Sequence, residues 1–480
     1  MPNQIGQKAV TGTIYTLVAD YFVYGLNFVR GIILARLLAP ELFGILALAD
    51  FFRNLFGQPK QIGFDEAVIQ RQDRLEEAFN GHFLFNLATV GVSFVVASIA
   101  APFLARFYDE RVVWVTFALM GVLLLQGLGA TQITYLRKNL AFRHLNIASA
   151  GASVVAFGVS VYLALQGYGI WALVSVVAVF EAVNLLIIWW LSPWRPGLKL
   201  NRDVNRDILK FGVTVWVGGF LGFVMLQFDD FLVGQFAGLA TLGFYSKAYH
   251  LAQQPLGLFS QVVNKIAGPV IAEIRNQPEK LERGMNLVLG LTFKATIFVG
   301  MILFIWASEI IVLLIGEKWL PMVPMFRGLI FYLIARPIWE IMSTFFTYRG
   351  DPATYVKGQA AQAILLVTIG TAAVYQWGGV GAAVVVSGIV AIVTTFYLTR
   401  YIGTKMKLEW RHNFIIPAIA VFASGLTSQL VINKWLVSGW LFWPGIVLIP
   451  ALIYLSLLLL LQGKRISLDM RFLLKVARRN

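Results

Sequence analysis

Charged side chains that lie inside long apolar stretches are the residues of this chain with the greatest potential for chemistry. Arg30, Arg53, Lys294 and Arg336 lie within such stretches, and Lys265 lies in another, nearer to its end. An ionisable side chain within a membrane span costs at least ~2.5 kcal/mol, so it must be paired, hydrated or functional. Residues of this kind mark the paths by which polar substrates or ions cross a membrane.

Acidic side chains lie in the same kind of stretch, and the candidates are Asp20, Glu181, Asp229 and Asp230. The basic and acidic residues concentrate in a subset of the apolar stretches, whereas the other stretches carry almost none. This segregation predicts a polar central cavity lined by selected helices, with the remaining helices facing lipid.

Local pairing is the alternative interpretation of several of these charges. Asp50 and Arg53 are three residues apart, and Arg336 and Glu340 are four apart. Each pair can therefore neutralise itself on one helix face. Lys265 is close enough to the end of its predicted helix for its ammonium group to reach water. The sequence leaves both interpretations open.

The elements that position these residues are predicted to be transmembrane helices. The 480-residue chain is 58% hydrophobic and 13% charged, and its mean hydropathy is +0.74. A bilayer core takes roughly 20 apolar residues per helix, and the apolar stretches predict an all-α polytopic membrane protein with about 14 transmembrane helices. We place the spans at residues 10–36, 42–64, 79–104, 112–134, 148–166, 170–192, 210–234, 246–271, 286–314, 324–347, 357–377, 380–402, 413–432 and 440–462.

The distribution of basic residues predicts the orientation of these spans. Most of the 39 lysines and arginines fall in alternate connectors and in the two termini. Cytoplasmic connectors carry the excess of Lys and Arg, so both termini of this multi-pass chain are expected in the cytoplasm. The same bias accounts for the net charge of +15 without a nucleic-acid partner.

An internal repeat predicts two similar halves. A small residue followed five positions later by glycine occurs after the first span, at Ala39 and Gly44, and again 199 residues later, at Gly238 and Gly243. Repeats of six spans each would give two pseudo-symmetric lobes, which is a transporter architecture. We therefore predict lobes at 1–207 and 208–404, followed at 405–480 by spans 13 and 14 and a basic amphipathic cytoplasmic tail.

Several classes of function are disfavoured. Cysteine is absent, and the four histidines lack ligand spacing, so no metal site is expected. The chain has no Walker A sequence, no nucleophile elbow and no HExxH motif, which argues against an enzyme. The sequence shows no glycine-rich re-entrant segment of the kind that forms the selectivity filter of a channel. The only cofactor we expect is a coupling ion.

Three motifs make the chain resemble a known family. They are the segments Ala35–Gly44, Gly63–Arg71 and Gly243–Ala248. The chain resembles the polysaccharide-transport branch of the multidrug/oligosaccharidyl-lipid/polysaccharide flippase superfamily, which includes O-antigen and exopolysaccharide repeat-unit flippases. Members have two six-helix bundles plus two further helices, and the span pattern of this chain is similar throughout.

The resemblance implies a substrate, a location and partners. The substrate would be an undecaprenyl-pyrophosphate-linked oligosaccharide, moved by alternating access from the cytoplasmic to the outer leaflet of the bacterial inner membrane. Partners would be membrane lipids and the polysaccharide polymerase and export machinery. We expect the lipid phosphates to contact Arg30, Arg53, Lys265, Lys294 and Arg336. We expect coupling to Na⁺ or H⁺ through Asp20, Glu181, Asp229 or Asp230.

Two alternatives stay open at this point. A drug or organic cation antiporter of the same superfamily would need acidic residues to dominate the cavity, whereas the charges here are mixed. A membrane assembly factor that transports nothing would also have the hydrophobic profile of this chain.

Overall fold

The computed structural model describes residues 2–197, 199–255, 277–348, 351–403, 406–435 and 442–477. Within these ranges the regular elements are helices. The chain divides into two compact units, Met1–Ser246 and Lys247–Asn480. The all-α polytopic fold predicted from hydropathy is therefore confirmed.

The first unit contains eight α-helices and the start of a ninth. They are α1 (Pro2–Leu37), α2 (Pro40–Phe56), α3 (Phe64–Gln70), α4 (Leu75–Phe107), α5 (Glu110–Lys138), α6 (Phe142–Leu165), α7 (Ile170–Leu191), α8 (Arg202–Ala237) and α9, which is described over 239–255. Helix α6 packs against α1 and α7, and α5 packs against α2, α4 and α7. Helix α2 also contacts α8.

The second unit contains seven further α-helices among its described residues. They are α10 (Pro278–Ile305), α11 (Ala307–Ile315), α12 (Val323–Tyr348), α13 (Pro352–Leu365), α14 (Thr371–Tyr397), α15 (Ile416–Trp435) and α16 (Phe442–Ala477). Helix α12 packs against α10 and α14, and α15 packs against α10 and α16. Gly378 interrupts α14 with a φ of 58° and a ψ of −141°. This break falls between the spans predicted at 357–377 and 380–402.

Ten helices of the described part are long and apolar enough to cross a membrane. One of them, Ala353–Ile402, runs through the Gly378 break and so joins two predicted spans. Helix α2 has only 17 residues. The total of fourteen spans therefore stays a prediction.

The second predicted span, 42–64, is shorter in the structure. Helix α2 ends at Phe56, and the Gly57 amide donates a hydrogen bond to the Arg53 carbonyl at 2.8 Å. A 3-10 turn, Gln58–Gln61, follows, and Pro59 lies within it. Proline lacks an amide hydrogen to continue an α-helix. The chain then forms the short helix α3, which carries the motif that begins at Gly63.

The two copies of the repeated motif contact each other within the first unit. A Cβ atom on Gly44 would overlap the Leu239 carbonyl, and one on Gly243 would overlap the Pro40 carbonyl. Pro40 and Leu239 hold the same place in the two copies. The contact is therefore reciprocal, and only glycine allows the backbones of α2 and α9 to approach this closely.

Candidate functional site

A charged cluster joins α2 to α8 in the first unit. Arg53 Nη2 lies 2.9 Å from Asp50 Oδ1, and a second bond runs from Arg53 to Asn54 Oδ1 at 3.0 Å. The Asn54 amide donates to Asp50 and, at 2.9 Å, to Gln227 Oε1 on α8. Arg53 is therefore held in an ion pair that its spacing from Asp50 had suggested.

Two predicted acids of α8 lie beside this cluster. Asp229 is 3% exposed, and its Oδ2 accepts a hydrogen bond from the Tyr245 hydroxyl. Its Oδ1 has no hydrogen-bond partner among the described residues. Asp230 is half-buried and lies within electrostatic range of Asp50. The structure thus brings together Arg53, Asp229 and Asp230 of the predicted set.

Helix α1 carries two further predicted residues. Arg30 is 9% exposed, and its Nη2 donates to Asn27 Oδ1 at 2.8 Å, one turn earlier on the same helix. Its Nη1 has no hydrogen-bond partner within the described part of the chain. Asp20 is half-buried on α1. Arg30 is therefore a buried cation that no described carboxylate neutralises.

In the second unit the predicted basic residues lie on two helices. On α12, Arg336 Nε lies 3.4 Å from Glu340 Oε1, as their spacing had suggested. Lys294 is half-buried on α10, and its carbonyl accepts a hydrogen bond from the Tyr454 hydroxyl at 3.1 Å. The prediction for Lys265 falls outside the described residues.

Glu181 of α7 lies elsewhere in the first unit, in a polar cavity of about 280 Å³. The cavity lies between α3, α4, α5, α7 and the 3-10 turn after α2. Lys60 Nζ donates to Gln126 Oε1 at 3.0 Å, and Gln126 Nε2 donates to Glu181 Oε1 at 2.7 Å. Polar residues that line it include Lys60, Asp65, Asn86, Gln126, Arg137 and Glu181.

A hydrogen-bond network between the buried His82 and the half-buried Asp65 forms one wall of the polar cavity. His82 is fully buried, and its Nε2 lies 2.7 Å from Asp65 Oδ1. His82 Nδ1 lies 2.8 Å from Thr131 Oγ1, and Thr134 Oγ1 donates to Asp65 at 2.7 Å. Burial by itself raises the pKa of the Asp65 carboxyl. The hydrogen bonds from His82 and Thr134 have the larger, opposite effect, and the pKa lies below its ordinary value. The carboxylate is therefore held ionised and fixed in position.

Sequence reasoning missed most of this cavity. Lys60 lies within the span predicted at 42–64 and was not a candidate residue, and the four histidines, His82 among them, were considered only as metal ligands. The available signal was Asp65, which lies in the motif that begins at Gly63. Among the described residues, no group of three or more His, Asp or Glu side chains is arranged to hold a metal ion.

The second unit has an open groove of different composition. It has a volume of about 420 Å³ and lies between α10, α12 and α15. Its lining is apolar except for Gln429. Phe331 and Phe422 are 57% and 69% exposed at its edge. The predicted charged residues therefore do not line this groove.

Comparison with known proteins places the chain among polysaccharide-related proteins. A family model described as "Polysaccharide biosynthesis protein" matches residues 33–324. The teichuronic acid biosynthesis protein TuaB of Bacillus subtilis is 25% identical over 276 residues, which is 56% of this chain and 56% of TuaB. The match therefore spans little more than half of that relative.

Two other relatives match over longer segments. The succinoglycan biosynthesis transport protein ExoT of Rhizobium meliloti is 24% identical over 82% of this chain and 76% of its own length. The lipopolysaccharide biosynthesis protein WzxC of Escherichia coli is 21% identical over 75% of this chain and 77% of its own.

Solved structures show the fold. The lipid II flippase MurJ, in an inward closed conformation, matches 94% of this chain and 100% of its own with a TM-score of 0.77 and 16% identity. An inward-facing multidrug resistance MATE transporter of the MOP superfamily matches 78% of this chain and 92% of its own, with a TM-score of 0.60 and 16% identity.

Proposed function

Because the chain belongs to the polysaccharide biosynthesis protein family, we propose that it is a flippase for a lipid-linked oligosaccharide. The proposed substrate is undecaprenyl pyrophosphate that carries a polysaccharide repeat unit. Alternating access would move it from the cytoplasmic to the outer leaflet of the bacterial inner membrane. Relatives named for polysaccharide biosynthesis and transport support this proposal, and so does the MurJ fold.

The buried guanidinium of Arg30 is the observation that carries the proposal. A pyrophosphate headgroup is anionic and cannot enter hydrocarbon unless cations or water compensate its charge. Arg30 is 9% exposed, and one of its terminal nitrogens lacks a described partner. A charged donor in this state can form strong hydrogen bonds to a phosphate oxygen.

The paired arginines would have a weaker role. Arg53 and Arg336 each have a carboxylate neighbour on the same helix, at 2.9 and 3.4 Å. A phosphate that approaches either arginine must compete with that carboxylate. We therefore rank Arg30 first among the proposed phosphate contacts, with Arg53 and Arg336 after it. Lys294 and Lys265 remain in the proposed set.

Other parts of the proposal rest on the sequence. Both termini would be cytoplasmic, and a polysaccharide polymerase and export machinery would be partners. Na⁺ or H⁺ would drive transport through Asp20, Glu181, Asp229 or Asp230. The buried Asp229, with one carboxylate oxygen unpartnered among the described residues, is the strongest of these four candidates.

The family assignment disfavours the alternatives. The matching family model and the names of the relatives refer to polysaccharides, not to drugs or organic cations. A buried arginine without a described acidic partner also repels a cationic substrate. An assembly factor would not need such a residue, because a buried charge destabilises a helix bundle that has no use for it.

The test replaces Arg30 by glutamine in cells that depend on this chain for polysaccharide export. Loss of the charge is expected to lower export at least ~10-fold, because a charge-assisted hydrogen bond contributes roughly 1.5–3 kcal/mol. Arg53→Gln is expected to lower it less. The measurement is surface polysaccharide at matched protein level, together with the lipid-linked precursor that accumulates inside.

A matched control is Arg106→Gln, which removes an arginine exposed in the last turn of α4. This variant should export normally. Normal export by Arg30→Gln at an unchanged protein level would overturn the assignment of Arg30. Normal export after deletion of the whole chain, with no accumulated precursor, would overturn the flippase function itself.

A further inference from the structure

The polar cavity of the first unit has a balanced charge. Two basic side chains, Lys60 and Arg137, and two acidic ones, Asp65 and Glu181, line it. The amide groups of Gln126, Asn86 and Asn184 also line it. It therefore presents both hydrogen-bond donors and acceptors to whatever occupies it.

The lining is preorganised. Gln126 accepts from Lys60 and donates to Glu181, so both ends of its amide are fixed. Both described hydrogen bonds to Asp65 end on Oδ1, which leaves Oδ2 for another donor. Asn86 is 4% exposed and is anchored by a 3.0 Å bond to the His82 carbonyl. A ligand would meet polar groups that are already oriented.

The balance of charge restricts the class of ligand. An anion would be attracted by Lys60 and Arg137 but repelled by Asp65 and Glu181, and the reverse holds for a cation, so neither gains a net attraction. An apolar group would leave these polar groups without partners, which costs free energy. A neutral polyhydroxylated ring avoids all three problems, because each hydroxyl group both donates and accepts a hydrogen bond.

We propose that this cavity is a binding site for a neutral sugar residue. That this sugar belongs to the lipid-linked oligosaccharide rests on the proposed function. Sugar binding as such does not depend on that function. The site differs from the proposed phosphate contacts, since Arg30, Arg53, Lys294 and Arg336 do not line the cavity.

The test uses the absence of cysteine from the chain. Asn184→Cys places a single thiol on the cavity lining, and its alkylation rate is measured on the full chain in lipid nanodiscs. Glucose, galactose and N-acetylglucosamine are the neutral probes, glucuronate is the anionic one and glucosamine the cationic one. A lipid-linked oligosaccharide in the nanodisc forms a separate arm.

At least one neutral sugar is expected to protect the thiol. At a concentration about ten times its dissociation constant, it would lower the alkylation rate about tenfold, because only the empty site reacts. Glucuronate and glucosamine should protect much less. Glu181→Gln in the same background should weaken the protection. Protection by the lipid-linked oligosaccharide but not by free sugars would support the site and identify its source.

Two further variants serve as controls. Asn139→Cys makes the same change at an exposed position just after α5, and no sugar should protect it. Ile133→Cys is a second reporter on the lining if Asn184→Cys fails to fold. A thiol that no reagent reaches, no protection by any neutral sugar or lipid-linked oligosaccharide, or stronger protection by glucuronate would each overturn the proposal.

The outcome is separable from that of the proposed function. A chain that supports export but shows no protection by free sugars or by the lipid-linked oligosaccharide refutes the sugar site and leaves the flippase proposal in place. Sugar protection in a chain whose deletion leaves export unchanged retains the site and refutes the flippase function.

Discussion

The two units each contain a cavity, and the two cavities differ in chemistry. In the first unit, a cavity of about 280 Å³ is lined by both apolar side chains and charged or amide ones, and hydrogen bonds join three of the latter, Lys60, Gln126 and Glu181. In the second unit, a groove of about 420 Å³ is lined by apolar side chains, and Gln429 is the polar exception. Both lie among helices of high mean hydropathy, so helix composition alone does not decide what a cavity can hold.

The difference shows where each kind of ligand can be accommodated. Lipid chains can cover an apolar groove without loss of hydrogen bonds, because such a groove exposes few polar atoms. The polar cavity, by contrast, would be costly to fill with hydrocarbon, because its ammonium, guanidinium and carboxylate groups would lose their solvent. The chain therefore separates a surface suited to lipid from a site suited to hydrated groups.

A lysine placed in each cavity tests this comparison, and we expect the largest effect in the groove. Ile297→Lys puts an ammonium group among apolar side chains and should lower the free energy of unfolding by roughly 2.5–3.5 kcal/mol. Ile133→Lys, also half-buried, puts the same group in a cavity whose charges balance and whose amide and carboxylate oxygens can accept its hydrogen bonds, so it should cost clearly less. Denaturant titration of both variants in lipid measures the difference.

The two isoleucines form a matched pair, because the same residue type changes to lysine at a similar degree of burial. An equal loss of stability in both variants would mean that the polar lining does not stabilise a charge. The two cavities would then not differ in the free energy that it costs to bury a charge in them.

The wall of the polar cavity supplies a smaller test. Asp65→Asn keeps an acceptor oxygen for the buried His82 but removes the negative charge, so it should destabilise the chain by about 1 kcal/mol, the difference between a hydrogen bond to a charged group and one to a neutral group. Glu66→Gln is the control, since Glu66 is the next residue of α3 and is exposed. Thermal unfolding of both variants checks the prediction. An Asp65→Asn variant as stable as Glu66→Gln would show that the charge on Asp65 does not stabilise the wall.

Local spacing explains which parts of the site could be predicted. Asp50 with Arg53 and Arg336 with Glu340 lie one helical turn apart, and the structure pairs both. The break between the eleventh and twelfth predicted spans coincides with Gly378, whose φ of 58° suits glycine. These features depend on residues that are neighbours along the chain.

Contacts between distant segments could not be predicted in the same way. Lys60, Gln126 and Glu181 are separated by 66 and 55 positions, and only the packing of α5 against α7 brings the last two together. The repeated glycines, Gly44 and Gly243, were visible as a pattern, but their mutual contact was not. Hydropathy finds helices, whereas a single sequence does not reveal which polar faces meet.

Translocation in proteoliposomes tests the central claim most directly. The purified chain is reconstituted with a fluorescent undecaprenyl-pyrophosphate oligosaccharide, and the fraction of label that an impermeant quencher reaches is followed over time. The account predicts that label crosses between leaflets with the intact chain, and far more slowly with Arg30→Gln or in protein-free vesicles. A rate no greater than in protein-free vesicles, under both a sodium and a proton gradient, would contradict it.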